Sequence, residues 1–260
     1  MRPKECIFCG GKPLSKEHVW PKWLRPYIAL KQKNHTSMSA IVHGTHREET
    51  RRRWGGDVQS HSVRIVCQSC NSGWMSQLQE KAKPSLLPLI TGQPIRLNAD
   101  DQLRIAFWCA MSAMNAEFLS ANQTAISADD RRSLKNGRLS PDTWKIWIGH
   151  YQRGDWVGAW AHNMMRVESG EVAEPTPDGH PAPNTQTTTL VVGQLYAHIF
   201  SSVFPEVVRP VNLGNRGSRL QIQIWPVADE AIWPPPETMT DQDADIFADA
   251  IFETLYQIAG

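Results

Sequence analysis

No apolar run in the chain approaches the roughly 20 residues that cross a bilayer, which excludes a helical membrane protein. The first residues are charged at once and lack the apolar core of a secretory leader, so the expected compartment is the cytoplasm, with no membrane partner. No internal repeat occurs at any useful period, which excludes solenoids and propellers. Net charge is close to zero, at +1. Cysteine is scarce, with five residues. In a reducing compartment, paired cysteines favour metal over disulfide.

What is present suits a globular protein: 41% hydrophobic and 20% charged residues over 260 positions, enough to bury a substantial core as one large or two smaller domains. The small net charge conceals a split. Residues 1–83 hold 15 Lys/Arg against 6 Asp/Glu, and the rest hold 12 against 20. A basic N-terminal block points to a polyanionic partner, or else to a solvated basic face.

Four of the cysteines form two Cys-x-x-Cys pairs, Cys6-Ile7-Phe8-Cys9 and Cys67-Gln68-Ser69-Cys70. That spacing matches the ligand set of a structural zinc site, with disulfides or free thiols as the alternatives. Zinc on Cys6, Cys9, Cys67 and Cys70 would draw Glu17-His18 and Asn71 into one small volume. Cys109, inside Ile105–Ala110, reads as a packing residue.

Phosphodiester hydrolysis needs an activated water, charge stabilisation in the transition state and help for the departing oxygen. His18 suits the base, since an imidazole near its ordinary pKa takes a proton at neutral pH. Glu17 and Asn71 offer oxygen ligands to a hard cation such as Mg²⁺ or Mn²⁺. Successive strand residues point to opposite faces, so Glu17 and His18 share a site only if the chain turns there, and Pro21 fits such a break. Alternatively Glu17-His18 is an ordinary polar step, and Asn71 a helix N-cap.

Along the chain, residues 3–14 read as a zinc knuckle, Ser15–Val19 as a short extended piece, and Trp23-Leu24 as a helical turn between Pro21 and Pro26. Residues 31–59 show no clear period and read as a long polar, basic loop. There Arg51, Arg52 and Arg53 beside Trp54 are the candidate backbone-gripping residues, or a solvated run. His61–Val66 reads as a strand, followed by a helix that Pro84 should end. From about residue 96 a second unit begins. It has a helix capped by Asp100 or Asp101, a short helix from Ser127 to the stop at Gly137, and four strands (Thr143–Tyr151, Trp156–Val167, Thr187–Ile199, Arg219–Trp225). Glu171–Asn184 reads as a loop. A final helix capped near Thr240-Asp241 follows, its buried face including Ile246, Phe247 and Ile251.

The combination Cys-x-x-Cys, Glu17-His18-x-x-Pro21, then Cys-x-x-Cys-Asn71 at a helix start resembles the HNH endonuclease family in its four-cysteine, zinc-supported form. The resemblance covers roughly residues 3–83. It implies a ββα-metal module that clasps one divalent cation and cuts nucleic acid, with His18 in the general-base position and Glu17 and Asn71 in the metal-ligand positions. The family's middle Asn is absent: Ser62 stands at its spacing, with His61 beside it. The expected architecture is therefore α+β. A zinc-stabilised ββα-metal module (1–95) precedes an α+β domain (96–260) with a mainly antiparallel sheet and flanking helices. The expected function is a metal-dependent endonuclease acting on DNA, with structural Zn²⁺ and catalytic Mg²⁺ or Mn²⁺. The alternative is a non-catalytic zinc-knuckle nucleic-acid-binding or interaction protein.

Overall fold

The computed structural model describes residues 3–28, 34–43, 46–55, 62–120, 124–167 and 182–259. The chain is α+β, with mainly antiparallel sheets. Strand β1 (Leu14–His18) pairs antiparallel with β4 (Ser62–Cys67) in a two-stranded sheet. Between them lie a tight helical turn, Lys22–Tyr27, that buries Leu24, and a pair of strands, β2 (Asn34–His43) and β3 (His46–Gly55). The helical turn meets expectation, as do β1 and β4. The strands β2 and β3 do not: the expected loop over 31–59 contains a ten-residue antiparallel pair in unbroken register from Asn34↔Gly55 to His43↔His46. The dense charge of β3 masked the strand pattern.

Chain continues from β4 into helical turns α1 (Gln68–Cys70) and Asn71–Met75, then α2 (Ser76–Thr91). Pro84 does not end this helix, which runs on through Pro84 and Pro88. A proline forfeits a backbone hydrogen bond, but Leu86, Leu89 and Ile90 beyond it are fully buried, each adding about 1.5–3 kcal/mol of burial. The stop comes at Gly92, whose left-handed backbone lets its own N–H reach Leu89 O and that of Gln93 reach Pro88 O.

Strand β5 (Ile95–Leu97) leads to α3 (Ala99–Ser120), and α4 (Ala128–Lys135) follows. Asn98, rather than Asp100 or Asp101, accepts at the start of α3, from Asp101 N at 2.9 Å. Ser127 caps α4 as expected, and Gly137 follows it with φ +72°. The remaining elements are β6 (Trp144–His150), β7 (Trp160–Met165), β8 (Thr185–Val192), β9 (Leu195–Ser202), α5 (Pro205–Val208), α6 (Gly214–Leu220), β10 (Gln221–Trp225), β11 (Ala231–Trp233) and α7 (Asp241–Ala259). The expected strand Thr187–Ile199 is two strands, folded back at Gly193-Gln194 with Val192 opposite Leu195. Glu171–Pro181, most of the expected loop, lies outside the described residues.

Seven strands form the main sheet in the order β10-β6-β9-β8-β7-β2-β3, antiparallel throughout except for the parallel pair β2–β7. One face carries Ile146, Ile148, Leu190, Leu195, Ala197 and Ile199 against α3, which is buried from Ile105 to Ala116 except at the half-buried Phe107. The other face carries Trp147, Val191, Tyr196 and Phe200 toward α7 through Phe247 and Ile251. Ile246, expected on the buried side of α7, is 47% exposed. The first apolar core also contains Cys6, Phe8, Val19, Trp20 and Leu24, and Trp20 packs against Trp160 of β7 with the rings tilted and their centroids 4.4 Å apart. Segments 1–95 and 96–260 thus share one core, and through β2 and β3 they share one sheet.

Candidate functional site

The knuckle preceding β1 closes on itself through Cys6 N–H to Gly11 O (3.1 Å) and Gly10 N–H to Cys6 O (2.8 Å), with Gly10 at φ +72°. Ile7 N–H to Ile65 O ties it to β4. This geometry carries Cys6 and Cys9 to the end of β4 and the first turn of α1, where Cys67 and Cys70 stand. The sulfurs of all four lie within 4.8 Å of one another, close enough to bind a metal ion. The Cys9–Cys67 and Cys9–Cys70 separations are both 3.5 Å. Thiolates at about 2.3 Å from a shared tetrahedral zinc would sit about 3.8 Å apart, so the donor set fits a structural zinc.

Donors already point at these sulfurs. Gly11 N–H reaches Cys9 Sγ at 3.4 Å, and Ser69 Oγ lies 3.1 Å from Cys67 Sγ. Burial works against the Cys67 thiolate, yet hydrogen bonds from Ser69, the Cys70 amide and the neighbouring thiols outweigh it and pull its pKa down to about 6. Burial pushes Cys6 and Cys70 upward. Such a set holds fewer than four negative charges on its own, and a bound cation would let every thiol ionise. Cys109 is fully buried among apolar residues and raised by burial alone, as a packing residue should be.

Glu17 and Asn71 are brought together, although they are far apart in sequence. Asn71 is not a helix N-cap. It sits inside the helical stretch, and its Nδ2 donates to Ser15 Oγ and to Lys16 O, both at 3.1 Å. Ser15 in turn donates to Val66 O at 3.2 Å. The amide nitrogen is therefore committed to β1, leaving Oδ1 as the atom of that side chain able to hold a cation. Glu17 is buried, and burial raises its carboxyl to about 7 while the hydrogen bond with Asn71 opposes the rise. A carboxyl desolvated in this way gains from a neighbouring cation.

His18 follows at the end of β1, directly opposite Ser62. It is half-buried, and its pKa is lowered first by burial and then by the charges of Lys22, Arg25 and Lys16. The neutral imidazole therefore prevails at pH 7, the form a base requires. Its ring makes no hydrogen bond to Glu17 or Asn71 among the described residues. The expected turn between Glu17 and His18 is instead an irregularity in the partner strand: Ser15↔Val66 is followed by Glu17↔Val63, so Arg64 and Ile65 together face Lys16. Ser62 stands in the ladder, where it can tether His18 through the backbone. His61 lies outside the described residues.

Arg51, Arg52 and Arg53 are not in this sheet. They lie on β3, opposite Met38, Ser37 and Thr36, at the far edge of the seven-stranded sheet. The cations whose field reaches His18 are Lys16, Lys22 and Arg25, all exposed. The sequence reading missed them, along with Ser15, which acts through contacts between distant segments, and Ser69 and Gly11, whose groups reach a cysteine two residues away. Among the described residues no helix is long and apolar enough to cross a membrane. No family model, curated protein or solved structure matches the chain.

Proposed function

We propose that this protein is an HNH-type phosphodiester hydrolase acting on DNA, built on a ββα unit of β1, β4 and the helix after Cys70. The observation that carries the reading is the bond from Asn71 across to β1, which joins a side-chain amide at a helix start to the strand bearing Glu17 and His18. Zinc on the four thiols would hold that junction together. A Mg²⁺ or Mn²⁺ ion bound by Glu17 and Asn71 Oδ1 would polarise the scissile phosphate and stabilise the leaving oxygen.

His18, neutral at pH 7, takes a proton from water as the water oxygen attacks phosphorus. The P–O3′ bond breaks, and the 3′ oxygen gains a proton from solvent. Lys16, Lys22 and Arg25 supply positive charge for the phosphate backbone beside His18.

The test is plasmid nicking in Mg²⁺ or Mn²⁺. Wild type should nick, and His18→Ala should lose about 10²- to 10⁴-fold in rate with zinc content unchanged. Salt-sensitive DNA binding without cleavage, unaltered in His18→Ala, would identify the alternative, a non-catalytic zinc-knuckle nucleic-acid-binding or interaction protein.

A further inference from the structure

The two edges of the seven-stranded sheet differ in kind. β10 has five residues, carries a bulge between Gln223 and Trp225, and runs directly into Pro226. Those are the devices by which an edge strand avoids pairing. β3 has ten residues, no proline and an unbroken register, and β2 is its only strand neighbour among the described residues. Its one remaining defence is charge, in the order His46-Arg47-Glu48-Glu49-Thr50-Arg51-Arg52-Arg53-Trp54, and that charge is of mixed sign.

We infer that β3 pairs antiparallel with the β3 of a second copy, about a two-fold axis through Thr50, joining two seven-stranded sheets. In an antiparallel ladder, residues directly opposite are either both hydrogen-bonded or both not, and outward-pointing backbone groups alternate along the strand. The axis must therefore pass through a residue, not between two. On Thr50 it sets Glu49 opposite Arg51 and Glu48 opposite Arg52, and the symmetry repeats both pairings. Arg47 against Arg53 is the one like-charge pairing. On Glu49 the axis sets Glu49 against itself and Arg47 against Arg51. On Arg51 it sets Arg51 against itself and keeps only Glu49 with Arg53. A strand whose acidic pair and basic run mirror each other across one residue is complementary to itself, which is what an isologous interface requires. This association does not rest on the proposed chemistry.

Sedimentation and cross-linking of the full chain test it. Wild type should be a reversible dimer. Glu48→Lys/Glu49→Lys and Arg51→Glu/Arg52→Glu should each weaken dimerisation about a hundredfold, since four attractive cross-strand pairings become repulsive. Mixing the two variants should restore a dimer, which also shows that both are folded. Thr50→Cys should oxidise to a covalent dimer, because directly opposed Cα atoms lie about 4.5–5.5 Å apart. Arg53→Cys should not. A wild type that is monomeric throughout, a dimer untouched by both reversals, or cross-linking at Arg53→Cys but not at Thr50→Cys would overturn the inference.

Discussion

Around His18 the decisive quantity is charge in a partly dry place. Lys16, Lys22 and Arg25 lower its pKa after burial has already done so, which keeps the ring neutral and surrounds it with cations. Lys22 and Arg25 are exposed. If they meet phosphates, Lys22→Ala and Arg25→Ala should each reduce the slope of log K against log salt for DNA binding by about 1, measured by fluorescence anisotropy across salt. An unchanged slope would remove them from the interface. The same small region shows how far single residues could be read from the chain. Cys6, Cys9, Cys67 and Cys70 were legible because metal-ligand spacing is a local pattern. The bond from Asn71 to β1 was not legible, because it depends on how two distant segments dock.

Among the elements, two helix caps were readable from local signals, and the boundary between two fully buried strands was not. Ser127 capping α4 and Thr240 capping α7 were readable, and Thr240 Oγ1 does accept from Asp243 N at 3.2 Å. β8 and β9 were not separable. β8 lies between β7 and β9, with helices on both faces, and every one of its residues is buried, including Thr185, Gln186, Thr187, Thr188 and Thr189. Alternation disappears under such burial, and Gly193 was the only punctuation left. That glycine is indispensable to the turn: its φ is +57°, and a Cβ there would collide with Ile90 O of α2. Gly193→Ala should destabilise the protein by about 2 kcal/mol or more, read as a lower urea midpoint with an unchanged m-value. A neutral substitution would show that α2 and the β8–β9 turn are not packed as described.

In the whole molecule, three of the four clustered cysteines, Cys6, Cys67 and Cys70, and the main sheet belong to one apolar core. Removing metal with a chelator should therefore lower a single cooperative thermal transition, not melt a detached knuckle. Two separate calorimetric transitions would contradict the shared core. Buried histidines set the acid behaviour. His162 bonds Thr188 at 2.7 Å and His198 bonds Thr189 at 2.8 Å; the Nε2 atoms of both lack hydrogen-bond partners among the described residues, that of His162 lying 3.8 Å from Glu117 Oε1. Burial, aided at His162 by the charge of Arg131, depresses both pKa values to about 3. At these two positions the unfolded chain then binds more protons than the folded one below about pH 6.5, an effect that the raised carboxyls of Glu17 and Glu117 oppose only in part. Stability should hold above that pH and fall as pH drops toward 3, by up to about 1.4 kcal/mol per pH unit for each histidine. Urea unfolding at pH 7 and 5 should show a shallower acid loss in His162→Gln/His198→Gln than in wild type; equal losses would exclude these rings as the cause.

By itself the sequence determined what depends on neighbours in the chain: the cysteine spacing, the caps of α4 and α7, the strands β1 and β4, and the α+β class. Tertiary structure alone decided that the basic stretch after Tyr27 contributes two strands to the main sheet, that α2 passes through two prolines, and that Asn71 reaches back to β1. The reason is physical. Spacing and capping are set within a few residues, whereas burial on both faces, partner strands and the field at a side chain come from segments that meet only when the chain has folded.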